Sequence, residues 1–212
     1  MEILKHFLDV FLHIDKYLGA VIHDCGVWSY AVLFFIIFAE TGLVVTPFLP
    51  GDSLLFAAGA FAGMGALHPA GLFLLLFTAA VLGNTVNYAA GHFLGAKAFQ
   101  KYPGIFKKEY LDKTHYFYEK YGGKAIVIAR FVPVARTFAP FIAGVGKMGY
   151  GRYLIYNAAG SLLWVALFVL GGYFFGNMPM IKKNFSLTVL VIICLSILPA
   201  VIEFWKHRRQ NG

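Results

Sequence analysis

The stretch KAIVIARFVPVARTFAPFIAGVG, residues 124–146, decides how this chain is read. It is apolar enough to enter a bilayer, yet Arg130, Pro133, Arg136 and Pro140 interrupt it at intervals of three or four residues. Proline withholds a backbone donor and its ring crowds the preceding turn, so a helix bends or breaks there. A guanidinium in hydrocarbon costs several kcal/mol unless it finds a partner or water. These two facts exclude a straight lipid-facing helix. The stretch is expected to form a re-entrant hairpin, whose irregular backbone is tolerable only where protein surrounds it.

The surrounding chain has the composition of a membrane protein. Apolar residues make up 59% of it, aromatic residues 17% and charged residues only 13%, well away from soluble averages. No Asp, Glu, Lys or Arg occurs between Asp52 and Lys97, between Arg152 and Lys182, or between Lys183 and Glu203. Each interval is long enough to cross a hydrocarbon core, which takes roughly 20 helical residues. The expected class is an all-α membrane protein with four spans, running from about Val27 to Val45, Pro69 to Gly95, Tyr153 to Gly176 and Phe185 to Trp205.

A second interrupted segment lies between the first two spans. Pro47 and Pro50-Gly51 break the chain, and the apolar run from Pro50 to Met64 is too short to cross before the turn-like residues Gly63 to Pro69. A re-entrant hairpin over about residues 46–66 is therefore expected, matching the one over 124–146. Ile3, Leu4, Phe7, Leu8, Phe11, Ile14 and Leu18 recur at helical spacing, so residues 1–24 read as an amphipathic surface helix. Glu2, Asp9 and Asp15 break any signal-peptide pattern there. Residues 97–123 are the one extended polar stretch and read as an interfacial helix, and 206–212 form a basic tail. The membrane domain then occupies 25–205.

Charge orients this topology. The net charge of +8 raises nucleic acid as a partner, but the basic residues sit in short segments between apolar runs, which membrane topology explains. Four spans put both termini on one side, where 14 Lys or Arg fall, against Lys182 and Lys183 on the other. The positive-inside rule places both termini in the cytoplasm. The first hairpin then enters from outside and the second from inside. Ala58-Gly59 and Ala143-Gly144 end the two hairpins, and the following spans close on Gly91/Gly95 and Gly172/Gly176. That order suggests an inverted repeat, whose broken segments mark a mid-membrane substrate site. Close helix contact is the commoner use of such glycine pairs.

Four charges remain within the membrane: Glu40, Asp52, Arg130 and Arg136. If the hairpin tips meet, they share one protein-lined cavity. Desolvation and a neighbouring arginine act in opposite directions on a carboxylate's proton affinity, and their balance decides whether it exchanges protons near neutral pH. Two guanidiniums six residues apart across a proline kink suit a phosphate, to which arginine offers fixed bidentate donors. The plain alternative is a set of salt bridges that hold the hairpins together.

These residues fall in ordered motifs. Glu40-Thr-Gly-Leu…Phe48-Leu-Pro-Gly-Asp52-Ser-Leu-Leu…Ala58-Gly59 is followed by Gly83-Asn-x-x-Asn-Tyr88-x-x-Gly91-x-x-x-Gly95. Arg130-Phe-x-Pro133-x-x-Arg136-Thr-x-x-Pro140…Ala143-Gly144…Met148 and Asn157-x-x-Gly160…Trp164 complete the series. The series resembles the DedA membrane proteins of the VTT-domain superfamily, from about Tyr30 to Trp205. The resemblance implies a bacterial inner-membrane protein with two facing re-entrant hairpins and a transport role. The lipid moved would be undecaprenyl phosphate or a phospholipid, with coupling to the proton motive force. It also implies that Glu40, Asp52, Arg130 and Arg136 are the required acidic and basic residues. Arg130 and Arg136 would hold the phosphate and Glu40 and Asp52 would carry protons. Pro50, Gly51, Pro133, Pro140, Asn84, Tyr88 and Asn157 would shape the hairpins and cavity.

Two other functions compete. In a proton-coupled carrier of a small cation or drug, the acids would bind the cation and the arginines would tune them. A membrane lipid hydrolase is disfavoured: Gly51-Asp52-Ser53-Leu54 spells a serine-hydrolase signature, but those enzymes use a soluble α/β scaffold, the one Asp-x-x-His spacing, Asp112 to His115, falls in the polar interfacial stretch 97–123, and no histidine occurs between His115 and His207. His6, His13, His23, His68 and His92 are scattered, so no metal or other cofactor is expected. Cys25 and Cys194 suggest packing. Asn84, Asn87 and Tyr88 either line the cavity or bond to a neighbouring helix, and Trp28, Trp164 and Trp205 anchor or pack. The sequence leaves the oligomeric state open.

Overall fold

The computed structural model describes residues 14–43, 51–101 and 122–179 and the single residues 181, 188 and 191. Every regular element among the described residues is helical. In chain order these are α1 Ile14–Cys25, α2 Trp28–Gly42, α3 Gly51–Gly63, α4 Pro69–Lys101, α5 Lys124–Ala129, α6 Pro133–Val145 and α7 Tyr150–Val165. A π-helical turn, Ala166–Leu170, and α8, Gly171–Phe175, continue α7. The last expected span, the basic tail, Pro50, most of the interfacial segment and the start of the amphipathic helix fall outside the described residues.

Among the described residues two helical stretches are long and apolar enough to cross a bilayer, Pro69–Leu94 and Tyr150–Phe175, each of 26 residues. At 1.5 Å per residue each measures about 39 Å. Only 33% of each stretch is buried, and Leu74, Phe93, Leu94, Ile155, Leu163 and Phe174 lie exposed along them. Such surfaces suit lipid, where large apolar side chains cost nothing outside. By the same measure α3, at 13 residues, reaches about 20 Å, and α5, at 6 residues, about 9 Å. Neither alone spans a core of about 30 Å.

The break between α5 and α6 follows from its sequence. The amides of Arg130, Phe131 and Val132 each bond three residues back, tightening the chain at the end of α5. Val132 is then extended, at φ −117° and ψ 114°, as the residue before a proline prefers. Pro133 opens α6 at the position where its missing N–H is not needed. Pro140 sits inside α6, which continues through it.

The chain divides into two compact units. The first contains the described parts of Met1–Ile36, Leu49–Phe77 and Trp164–Gly212, and the second those of Ile37–Phe48 and Thr78–Leu163. In the first, α3 is buried on nearly all sides and lies against the π turn and α8. A side chain at Gly59 would strike the Val169 carbonyl, and one at Gly172 would strike the Phe56 carbonyl. In the second unit, a side chain at Gly144 would strike the Tyr88 carbonyl and one at Gly91 the Phe141 carbonyl. The two crossings obey one rule. Gly59 and Gly144 each meet the residue three before the glycine of the helix they cross, and the reverse also holds. Phe56-Ala-Ala-Gly59 and Phe141-Ile-Ala-Gly144 are the matching sequences.

Helices α3 and α6 also end alike. Ala66 N–H bonds to Phe61 O at 3.0 Å and Gly65 N–H to Ala62 O at 3.1 Å, while Met148 N–H bonds to Ala143 O and Lys147 N–H to Gly144 O, both at 3.0 Å. Both are paired C-terminal caps that need a left-handed residue. Gly65 supplies it at φ 81°, and Lys147 adopts it at φ 52°.

Gly59→Val and Gly144→Val are therefore expected to lower stability by at least about 1–3 kcal/mol through overpacking against backbone. Gly151→Ala, at a site with open space around it, is expected to be neutral or slightly stabilising. Thermal unfolding of the purified variants in detergent measures the difference, and equal effects at all three sites would contradict the crossings.

Candidate functional site

The second unit holds the densest buried polar chemistry among the described residues. Glu40 lies in the last turn of α2 with 0% exposure, and Arg136 lies within the first four residues of α6 at 7%. The Arg136 Nη2 donates directly to Glu40 Oε1, forming a buried ion pair. By the helix dipole, an acid at a C-terminus and a base at an N-terminus each sit at the unfavourable end of their own helix. The pairing offsets this, since each charge approaches the favourable end of the other helix.

The backbone around the pair is tied by a third helix. Asn87 of α4 is fully buried, and its Nδ2 donates to Thr137 O at 2.8 Å and to Thr41 O at 3.2 Å. One turn earlier, Gly83 lets α4 approach α2 until a Cβ would meet Phe38 O and the Thr41 hydroxyl. Thr41 turns that hydroxyl back to Ile37 O at 2.8 Å. Arg130, in the break between α5 and α6, is also buried, at 4% exposure.

The remaining expected residues of this unit join neighbouring helices. Asn84 Nδ2 donates to Asn157 Oδ1 at 2.7 Å, Asn157 Nδ2 donates to Val81 O at 3.1 Å, and Ser161 Oγ lies 3.3 Å from Asn157 Oδ1. The Tyr153 hydroxyl donates to Asn84 O at 2.8 Å. Tyr88 stacks on Tyr153 with centroids 4.3 Å apart and donates its hydroxyl to Met148 O. Asn84, Tyr88 and Asn157 thus join α4 to α7 and to the turn after α6. Pro140 is buried within α6 and has no N–H to offer the Arg136 carbonyl four residues before.

Asp52 belongs to the first unit, near the start of α3 beside Gly51, at 8% exposure. Its Oδ1 accepts a hydrogen bond of 2.8 Å from the Trp164 indole. Trp164 is itself 1% exposed, so its role is to satisfy a buried carboxylate rather than to anchor at an interface. Trp28, by contrast, is exposed. Of the four membrane charges, the structure pairs Glu40 with Arg136 and gives Asp52 a neutral donor. The signal for Trp164 was available in general form, because a buried indole N–H requires an acceptor. The bridging role of Asn87 had no sequence signal beyond its polarity. Among the described residues no group of His, Cys, Asp and Glu is placed to hold a metal.

Removing one member of the ion pair leaves the other buried alone. Glu40→Ala and Arg136→Ala are each expected to cost about 3–5 kcal/mol of stability, and the double variant markedly less than their sum. Denaturant unfolding in detergent micelles reads the cycle, and strict additivity would mean the two side chains do not pair.

The chain is similar in sequence to known membrane proteins. The VTT domain family model matches residues 49–174, more than half of the chain. The chain is 52% identical over 212 residues to Protein DedA of Escherichia coli (strain K12), covering 99% of this chain and 97% of that one. It is 41% identical over 178 residues to an uncharacterized membrane protein of Mycobacterium leprae (strain TN), with 84% and 80% covered. It is 36% identical over 190 residues to inner membrane protein YqjA of Escherichia coli (strain K12), with 86% of each covered. No solved structure matches.

Proposed function

Because the chain belongs to the DedA family of VTT-domain membrane proteins, we propose that it carries a lipid with a phosphate headgroup across the bacterial inner membrane. Undecaprenyl phosphate or a phospholipid is the cargo, and the movement is linked to the proton motive force. The observation that carries this reading is the buried Glu40–Arg136 pair at the N-terminal end of α6. A helix N-terminus and a guanidinium both attract anions, and the guanidinium is held ready by a carboxylate that a phosphate can replace.

In this mechanism the carboxylate and the phosphate compete for one guanidinium. While Glu40 is ionised it occupies Arg136. Protonation of Glu40 removes its charge, and Arg136 then prefers a phosphate headgroup, with Arg130 as the second cation. Loss of the proton restores the ion pair and expels the headgroup. Asp52, which accepts the Trp164 indole hydrogen bond, is the second proton carrier in this reading. The proposed topology has four spans and both termini in the cytoplasm. α3 and the α5–α6 pair form two re-entrant hairpins, a reading supported by their lengths and by the recurrence of crossing and cap in both. The relatives from Mycobacterium leprae and inner membrane protein YqjA carry membrane-protein names and not enzyme names, and the chain is read as a transporter and not as an enzyme.

The test is movement of labelled undecaprenyl phosphate and labelled phospholipid in proteoliposomes, with and without a pH gradient. The wild type is expected to move one of them faster when a gradient is imposed. Arg136→Ala is expected to lower the rate by about 30-fold or more, and Glu40→Gln to remove the dependence on the gradient. Lipid movement unchanged in both variants, or flux of a small cation with none of lipid, would overturn the proposal.

A further inference from the structure

The amide of Asn87 stands between the two backbones that carry the ion pair. A primary amide nitrogen has two protons, and here both have acceptors, the carbonyls of Thr41 and Thr137. Thr41 follows Glu40 and Thr137 follows Arg136. The orientation of the amide is fixed by chemistry, because its oxygen facing two carbonyls would be repelled by both. The Thr41 carbonyl lies in the last turn of α2, where helical carbonyls have no partner further along the helix. The Thr137 carbonyl lies in the first turns of α6, so Asn87 ties the end of one helix to the beginning of another. The close approach at Gly83 holds α4 near α2 one turn away, which leaves the short Asn side chain long enough to reach.

We propose that Asn87 is a positioning residue for the Glu40–Arg136 pair, fixing the separation of the two backbones so that carboxylate and guanidinium meet. It acts through the backbone carbonyls of Thr41 and Thr137. Leu, of similar size, offers no proton, and Asp at the same length would present two more acceptors to the carbonyls. Gln keeps both protons but places them one methylene further out. The link to transport rests on the lipid-phosphate reading above, whereas the positioning itself does not.

A double-mutant cycle on the purified full chain tests the positioning directly. Arg136→Gln is introduced into the wild type and into Asn87→Leu, and the folded-to-unfolded ratio is measured by denaturant titration. If Asn87 sets the pair, the loss caused by Arg136→Gln is expected to shrink by about fivefold or more in the Asn87→Leu background. Equal losses in the two backgrounds would overturn the inference. Should Asn87→Leu not fold, Asn87→Gln takes its place in the same cycle, with a shrinkage of about twofold expected and equal losses again decisive against it. An infrared readout separates positioning from general support. The carboxylate band lost in Glu40→Gln is expected to move in Asn87→Gln, and an unmoved band in a destabilised Asn87→Gln would leave only a packing role and sink the proposal. Coupling without lipid movement in the wild type would refute the transport reading and leave this inference standing.

Discussion

A carboxylate stripped of water must be met by a charge or by several donors, and in the second unit Glu40 is met by the guanidinium of Arg136. The local structure of that unit serves this requirement. α5 is short and the chain breaks before Pro133, so a new helix begins within reach of the end of α2. The glycine contact at Gly83 and the amide of Asn87 tie α4 to the same point. A buried pair is weak evidence for stability, since apolar residues of similar volume often do as well. Its presence in a membrane protein therefore points toward use.

The second constraint is close approach of backbones where no hydrophobic effect separates helix from lipid. Association then depends on packing, and glycine supplies it by removing the side chain from the contact. The crossing of α3 with the π turn and α8 and the crossing of α6 with α4 use the same four-position scheme. The shared caps at Gly65 and Lys147 extend the correspondence to the ends of α3 and α6. The units differ in their charges. Near the start of α3 the first places an acid, Asp52, and near the start of α6 the second places a base, Arg136.

Much of this was legible in the chain because it depends on local rules. Proline chemistry located the break at 130–133, and the absence of charge located the long helices at 69–94 and 150–175. The glycine pairs Gly91/Gly95 and Gly172/Gly176 pointed to close helix contact, which Gly91 and Gly172 make at the two crossings. Boundaries were less legible where hydropathy and helicity part company. α4 runs on to Lys101, past the apolar stretch, because Ala96, Lys97, Ala98 and Gln100 are good helix formers whether or not lipid surrounds them. The π turn left no sequence signature. The choice of partners was least legible, since four charges admit several pairings and only tertiary placement selects Glu40 with Arg136 and Trp164 with Asp52.

The central claim is that Arg136 is held by Glu40 in the resting protein and given up to a phosphate. Solid-state magnetic resonance of the protein in lipid bilayers, with labelled arginine guanidinium and glutamate carboxyl groups and Glu40→Gln to assign the signal, measures this contact directly. A carboxyl–guanidinium coupling within the ion-pair range of about 4 Å is predicted at neutral pH, replaced by a phosphorus–guanidinium coupling when undecaprenyl phosphate is added at low pH. An Arg136 guanidinium with no coupling to Glu40 at neutral pH, or one whose coupling persists unchanged with the lipid bound, would contradict the account.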